Sequence, residues 1–256
     1  MRILFVGDVV ASPGRKAVIK LVPDIVRENN IDYVIANAEN VSHGRGVTQE
    51  DLTEMQEAGV NYFTSGDHLF WQRGTEDIID TLPVIRPANY PKRVPGIGYK
   101  LLTVGNKGTI LLINLIGRTF LNERLDDPFT KADEILSLYE SNKPDYIIVD
   151  FHAESSSEKH ALGFYLDGRV NAVVGSHTHV PTCDARVFPK GTLYVTDIGM
   201  TGNIDSVLGV KKEIILELYL TGLNQRFEWE YSGRNAFRSV ILDMKQNKIE
   251  RLDLEI

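Results

Sequence analysis

Two patterns of hydrophobic and polar positions alternate along the first part of the chain. Short apolar runs at 2–7 (RILFVG) and 32–37 (DYVIAN) have the length and composition of buried strands. Between them, residues 13–29 carry apolar side chains at helical spacing, and Pro13 suits the first turn of that helix. The same patterns predict the following elements up to residue 175: helix 48–59, strand 60–66, paired strands 99–104 and 109–117, helix 128–142, strand 145–152, helix 156–166 and strand 170–175.

The last part of the chain is richer in strand pairs. Apolar runs at 194–199, 213–220, 239–244 and 249–254 predict strands, and the last three predict an antiparallel group. Residues 83–98 hold four of the ten prolines and predict an ordered surface excursion. Alternating strands and helices followed by strand pairs indicate a layered α/β fold with two sheets, in a single domain over residues 1–256.

Composition and charge restrict the classes of function. The 256 residues carry a net charge of -7, which argues against a stable complex with nucleic acid, because such complexes need many phosphate-neutralising Lys and Arg residues. A small nucleotide in a locally positive pocket is still compatible. No apolar stretch approaches the roughly 18 residues of a membrane span, so we predict a cytoplasmic protein without membrane contact. The single cysteine, Cys183, forms no intramolecular disulfide and is predicted to be a buried apolar side chain.

Acidic, amide and imidazole side chains follow nearly every strand predicted in the first two-thirds of the chain. Ligands of open α/β sheets bind at the carboxyl ends of the strands, so these side chains are expected to meet at one edge. A buried charge there costs several kcal/mol without a partner, and a bound cation removes that penalty. The side chains are Asp8, Asn37, Glu39, Asn40, Asp67, His68, Asp150, His152, Glu154, His177 and His179.

The pair His177 and His179 shows why the set has to be judged as a whole. In extended chain, residues two apart point the same way, so both imidazoles are expected to face the crevice. Alone, such a pair is more simply two satisfied polar residues in a loop. With similar residues at four other strand ends, it indicates a metal site. The mixture of oxygen and imidazole donors fits Fe, Mn or Zn better than Ca or Mg, and the number of donors predicts two ions about 3.5–4 Å apart.

Four stretches together resemble the calcineurin-like metallophosphoesterases, and more narrowly their YmdB-like subfamily. They are GDVVASPGR, NAENVSHGRG, FHAESSSEKHALGFYLDGRVNAVVGSHTHVPT and YVTDIGMTGNIDSVLG, spread over the first four-fifths of the chain. The resemblance implies a four-layer αββα sandwich, a di-iron centre and hydrolysis of cyclic nucleotides, above all 2′,3′-cyclic nucleotides. Two departures stand out. Val10 replaces the first-motif histidine of the wider superfamily, and Asp67 stands where the subfamily usually has asparagine.

The resemblance also implies roles for individual residues. It places His68 beside the phosphate. On this basis we hypothesise that a hydroxide bridging the two ions would attack phosphorus and that His68 would protonate the leaving oxygen. The implied ligand set is Asp8 and His179, with Asn40 nearby, for one ion, Asp67, His152 and His177 for the other, and Glu39 bridging both.

Several interpretations stay open at this point. His68 is either catalytic or orients a ligand, and Trp71 either stacks on a base or packs in the interior. Glu154 either hydrogen-bonds a ligating imidazole or does not. Asn37 and Asp150 are interpreted as structural. Five other polar residues are interpreted as solvent-exposed surface residues: Arg15, His43, Arg45, Arg73 and His160.

Two other functions compete with the phosphodiesterase. One is a regulatory protein that binds metal or nucleotide with weak or no turnover. A weaker one is an amidohydrolase-type hydrolase, in which a histidine pair of this kind usually follows the first strand. The composition of the 83–130 region is compatible with an exposed apolar face. Self-association through that face would give a homo-oligomer.

Overall fold

The computed structural model describes residues 1–121 and 124–256. Its strands are β1 (Arg2–Val6), β2 (Tyr33–Asn37), β3 (Tyr62–Thr64), β4 (Tyr99–Thr103), β5 (Thr109–Ile116), β6 (Tyr146–His152), β7 (Ala172–Ser176), β8 (Arg186–Val187), β9 (Leu193–Val195), β10 (Gly202–Asn203), β11 (Asn235–Asp243) and β12 (Lys248–Glu255). Its α-helices are α1 (Ala11–Glu28), α2 (Gln49–Glu57), α3 (Thr75–Ile78), α4 (Pro128–Leu138), α5 (Ser156–Leu166) and α6 (Lys212–Thr221).

The strands form two six-stranded sheets. The first has the order β10-β11-β1-β2-β3, and β12 also pairs with β11. The second has the order β4-β5-β6-β7-β9-β8. Strands β1, β2 and β3 are parallel, as are β5, β6, β7 and β9. Their carboxyl ends therefore supply two rows of loops, one from each sheet, in which ligands of such sheets bind.

Alternate residues of the buried strands pack on opposite sides of each sheet, which produces four layers. In β1, Ile3 and Phe5 belong to an apolar cluster shared with the second sheet, whereas Leu4 and Val6 pack in a cluster with α1 and α2. A third cluster joins the second sheet to α4 and α5. Since successive strand residues face opposite ways, strands buried on both faces read as continuous apolar runs. The prediction of an α/β sandwich of the αββα type is confirmed.

Local sequence features end and begin the elements much as expected. The side chain of Thr48 accepts a hydrogen bond from the backbone N–H of Asp51 at the start of α2. The strands predicted at 99–104 and 109–117 pair antiparallel as β4 and β5. Those predicted at 239–244 and 249–254 also pair antiparallel, as β11 and β12.

The strand predicted at 213–220 is wrong, because this segment lies in α6. Ile215 is buried there, whereas Leu216 and Leu220 are exposed. The apolar run therefore does not mark a sheet position, and the Leu and Glu residues that fill it are good helix formers. Gly222, with φ 70°, ends the helix in the left-handed conformation.

Two smaller predictions are also wrong. Residues 83–98 do not all lie on the surface, because the first half of the segment crosses from one sheet to the other. There the buried Ile85 hydrogen-bonds through its backbone to Phe63, and Ala88 does so to Asn114. Cys183 is exposed rather than buried. Within the described residues, none of the helices combines the length and apolarity that crossing a membrane requires.

Candidate metal centre

Seven side chains of metal-ligand type converge where the carboxyl ends of the two sheets meet. Six of them form two groups in which the ligand-type atoms all lie within 4.8 Å of one another. Glu39 belongs to both groups. The first group is Asp8, Glu39 and His179; the second is Glu39, Asp67, His152 and His177; Asn40 is the seventh side chain and contacts the first group.

The spacing within the second group matches ligands around a single ion. The Nε2 atom of His152 lies 3.0 Å from Asp67 Oδ1, 3.1 Å from Glu39 Oε2 and 3.0 Å from His177 Nδ1. Ligand atoms that each lie about 2.0–2.2 Å from a metal are roughly 3.0–3.4 Å apart, as tetrahedral or octahedral geometry requires. The oxygen and imidazole donors fit a transition-metal ion.

Position 66 has to be glycine, because the backbone there lies against side chains of the second group. A Cβ atom there would lie 2.1 Å from Glu39 Oε2 and 2.2 Å from His152 Nε2. The backbone between β3 and Asp67 therefore passes directly against two of the candidate ligands. Any larger residue would occupy the space between them.

Burial and mutual attraction set the charges of the centre. Burial raises the pKa of the Asp8 carboxyl. Burial acts the same way on Glu39 and Asp67, but contacts with His152 outweigh it and lower the pKa of both carboxyls. Burial opposes protonation of His152, yet Glu39 and Asp67 raise its pKa well above the usual range. The protein thus concentrates carboxylates that need a positive partner.

A buried network behind the centre orients His152. Its Nδ1 atom lies 2.9 Å from Ser176 Oγ, which donates in turn to Asp150 Oδ1 at 2.7 Å. A serine hydroxyl that donates to a carboxylate accepts from the imidazole, so Nδ1 of His152 carries a proton, and Nε2 is the atom that would lose its proton and bind an ion. Burial raises the pKa of Asp150 to about 6. Asn37 also donates to Asp150, at 3.2 Å, which agrees with its interpretation as structural.

The histidine pair adopts a conformation that differs from the predicted extended one. His177 has φ 100° and His179 has φ 64°, both in the left-handed region that non-glycine residues seldom occupy. The two imidazoles consequently serve different groups, His177 the second and His179 the first. Backbone strain of this kind persists only where the surrounding structure enforces it.

Lys159 and Asp197 enforce the loop and were missed by the sequence analysis. The buried Lys159 Nζ donates to Asp197 Oδ2 at 2.6 Å and to the Ser176 carbonyl at 2.7 Å. The same Asp197 oxygen accepts the backbone N–H of Thr178, between the two histidines, at 3.1 Å. The strand-end rule would have found Asp197, which follows β9. Lys159 lies in α5 and has no comparable sequence pattern.

His68 lies beside the centre with its ring fixed on two sides. Its Nδ1 atom lies 2.8 Å from Asn40 Oδ1, and the ring packs edge-on against Trp71 with 4.5 Å between centroids. Its Nε2 atom lies 3.4 Å from Asp67 Oδ2. Asn40 directs its Nδ2 at Glu39 Oε1, 2.6 Å away. A ligand role for Asn40 requires its amide oxygen and nitrogen to exchange places, so that the oxygen could coordinate an ion.

A cavity of about 460 Å³ opens from the centre toward α6. Trp71 lines this cavity, as does Arg45, whose guanidinium lies over the Trp71 ring 4.8 Å from its centroid. Glu154 also lines it and contacts His177 Nε2 at 3.2 Å.

The remaining polar residues that the sequence analysis considered for a role in binding lie away from the cavity. Arg15 pairs with Asp51 and Glu54. His43 and Arg73 are exposed. His160 bonds to the Ser156 carbonyl within α5.

Comparison with known proteins places the chain in a family. The model of the YmdB-like protein family matches residues 4–255. The chain belongs to the YmdB-like family. The resemblance noted in the sequence is thereby confirmed.

Individual relatives cover nearly the whole chain. The 2′,3′-cyclic-nucleotide 2′-phosphodiesterase of Bacillus subtilis (strain 168) is 45% identical over 258 positions, which cover 98% of this chain and 96% of that protein. A crystal structure of a protein from Thermus thermophilus has a TM-score of 0.93 at 42% identity and covers 100% of this chain and 99% of that one. A phosphatase structure from Mycoplasma pneumoniae has a TM-score of 0.89 at 32% identity, covering 100% and 93%.

Proposed function

We propose that this YmdB-like protein hydrolyses phosphodiesters, above all 2′,3′-cyclic nucleotides, at a centre for two metal ions. The observation that carries the proposal is that Glu39 belongs to both ligand groups. A carboxylate that belongs to both groups would hold two ions close enough to act on one phosphate. The proposed ligands are Asp8, Asn40 and His179 for one ion, Asp67, His152 and His177 for the other, and Glu39 for both.

Family relationships support the enzyme class. The Bacillus subtilis relative is a phosphodiesterase, which supports the interpretation of this chain as a phosphoric diester hydrolase, as the sequence predicts. Cyclic nucleotides as substrates, iron as the metal and a cytoplasmic location belong to the proposal. The donor set also accepts Mn or Zn.

The ions, when bound, would acidify water and polarise the phosphoryl oxygens. The chain's own residues do the rest. Asp8, Glu39 and Asp67 would hold the ions and offset part of their charge. Ser176 accepts a hydrogen bond from Nδ1 of His152 and so leaves Nε2 as the atom that would bind an ion.

His68 is the proposed proton donor to the leaving oxygen. Its side chain is 27% exposed, so it reaches the cavity while its ring is held by Asn40 and Trp71. A histidine suits this role because the imidazolium ring can donate a proton and the neutral ring can accept one. Because Nδ1 of His68 contacts Asn40, the proton available for transfer to the substrate is the one on Nε2.

The proposal is tested by turnover of adenosine 2′,3′-cyclic phosphate by the metal-loaded protein. We expect Glu39→Gln to lower kcat at least about 100-fold, because the shared carboxylate is lost. Glu57→Gln is the matched control, since Glu57 is exposed on α2. Equal rates for wild type and Glu39→Gln would contradict the mechanism. Tight nucleotide binding without turnover would instead indicate the regulatory alternative.

A further inference from the structure

A second cavity, of about 450 Å³, adjoins the cavity at the metal centre. We call it the outer cavity. Three of its lining residues, Arg45, Phe227 and Trp229, also line the cavity at the centre. The two cavities therefore adjoin one another along these three side chains. The other lining residues of the outer cavity are Gln225 and Arg226.

The charge of the outer cavity is opposite to that of the chain. The chain has a net charge of -7, yet the lining consists of two arginines, one glutamine and two aromatic residues, without a carboxylate. Among the described residues, no carboxylate lies within ion-pair distance of Arg45 or Arg226; Arg45 instead rests on the Trp71 ring. Arg226 helps to lower the pKa of the Glu228 carboxyl, but that carboxylate pairs directly with Lys211. Two guanidinium groups without a direct ion pair favour an anion in this space.

The aromatic wall between the cavities is fixed by glycine. A Cβ atom at Gly44, which has φ 75°, would lie 2.0 Å from Trp229 Cε2. Gly209, with φ 96°, approaches the same ring, at 3.1 Å for a Cβ. Two backbone segments therefore hold the indole in place. Aromatic rings beside arginines are the combination with which proteins bind single-stranded nucleic acid without sequence preference, the rings stacking on bases.

Resting on the proposed function, we propose that the outer cavity binds a phosphate on the 5′ side of the cyclic nucleotide. The reacting phosphate spans the 2′ and 3′ oxygens, so the 5′ carbon leads away from the metal centre. The inner cavity alone is in the range, about 300–1,000 Å³, that holds a small ligand, so the outer one is available to a further group. Arginine binds phosphate with paired hydrogen bonds. The preferred substrates are then 5′-phosphorylated nucleotides or short oligoribonucleotides that end in a 2′,3′-cyclic phosphate.

The test compares kcat/KM for three substrates at low ionic strength: adenosine 2′,3′-cyclic phosphate, its 5′-phosphorylated form, and the diadenylate with a 2′,3′-cyclic end. We expect the wild type to prefer the second substrate over the first by about tenfold, as one charge-assisted contact supplies, mainly through KM. Arg226→Gln should reduce this preference to nearly one. Arg93→Gln, at an exposed arginine outside both cavities, should keep it.

The three substrates also show whether the outer cavity recognises a terminal 5′-phosphate or the phosphodiester of an oligonucleotide. A further gain for the diadenylate identifies an oligonucleotide end, whereas equal values for the second and third substrates identify the phosphate alone. Turnover of all three without preference, or a preference that Arg226→Gln leaves intact, would overturn the inference while the proposed function stands.

If no substrate is turned over, the proposed function fails, and calorimetry with adenosine 3′,5′-bisphosphate then tests the cavity by itself. Weaker binding to Arg226→Gln than to wild type and Arg93→Gln supports the inference. Equal affinities overturn it.

Discussion

The two sheets contribute different chemistry to the centre. The first sheet supplies carboxylates, from loops after β1, β2 and β3, and the second supplies imidazoles, from the last residue of β6 and from the loop after β7. Neither sheet alone presents a mixed donor set. The centre therefore depends on the packing of the two sheets against each other, with Ile3 and Phe5 of the first sheet in the shared apolar cluster. Sheet packing and metal binding should stabilise each other.

The two sides also differ in how their ligands are held. On the first side the backbone at Gly66 lies against the candidate ligand Glu39, and also against His152 of the second side. On the second side, buried side chains hold the ligands, through Ser176 behind His152 and through Lys159 and Asp197 behind the histidine loop. The first side is consequently vulnerable to added volume, and the second to the loss of a hydrogen-bonding partner.

The largest effect on stability is expected from Lys159→Met on the second side. It leaves the buried Asp197 without its cation, which costs about 3–5 kcal/mol. Urea unfolding monitored by circular dichroism measures the change. Lys211→Met is the control, because its pair with Glu228 is exposed and should contribute at most about 1 kcal/mol. A similar small change in both variants would refute a supporting role for the buried pair.

On the first side, Gly66→Ala should abolish binding at the second ligand group, because its methyl group overlaps Glu39 and His152. We expect the metal content to fall by about one ion per chain or more. Elemental analysis measures this directly. Gly74→Ala serves as control, because its φ of 84° makes a side chain there strained but a Cβ meets open space, so the metal content should stay at the wild-type level. A Gly66→Ala protein with the full wild-type metal content would show that the backbone approach is unimportant.

Ser176→Ala tests the second side, because it removes the hydrogen-bonding partner of His152 without adding volume. His152 loses the acceptor that fixes its tautomer, and such changes typically lower metal affinity by about 10–100-fold. Competition with a chelator of known affinity measures the shift. Ser137→Ala, at an exposed serine of α4, should leave the affinity unchanged. An unaltered affinity in Ser176→Ala would mean that the network does not orient the ligand.

The smallest effect is expected from Asp67→Asn. The amide oxygen can still ligate, and removing one negative charge makes the second ion more electrophilic, so kcat should rise by less than about tenfold. Steady-state kinetics with Mn and with Fe measures the change and any shift in metal preference. A loss of activity as large as that of Glu39→Gln would show that the carboxylate itself is indispensable.

The sequence predicted the parts of the centre that obey a simple positional rule. Residues such as Asp8 and Glu39 follow apolar strands, and the strand-end rule brings them to one edge. It did not predict the left-handed backbone of His177, because that conformation is enforced by Asp197 and Lys159, which are distant in the chain. It also misread residues 213–220, since an apolar run does not distinguish a buried strand from a helix with an exposed apolar face.

The number of metal ions per chain tests the central claim most directly. The account predicts about two ions in the wild-type protein after excess metal has been removed, and a clear loss in Glu39→Gln, because both groups share that carboxylate. Elemental analysis against protein concentration gives the number. A wild-type protein without bound metal, or a Glu39→Gln variant that keeps two ions with unchanged affinity, would contradict the account.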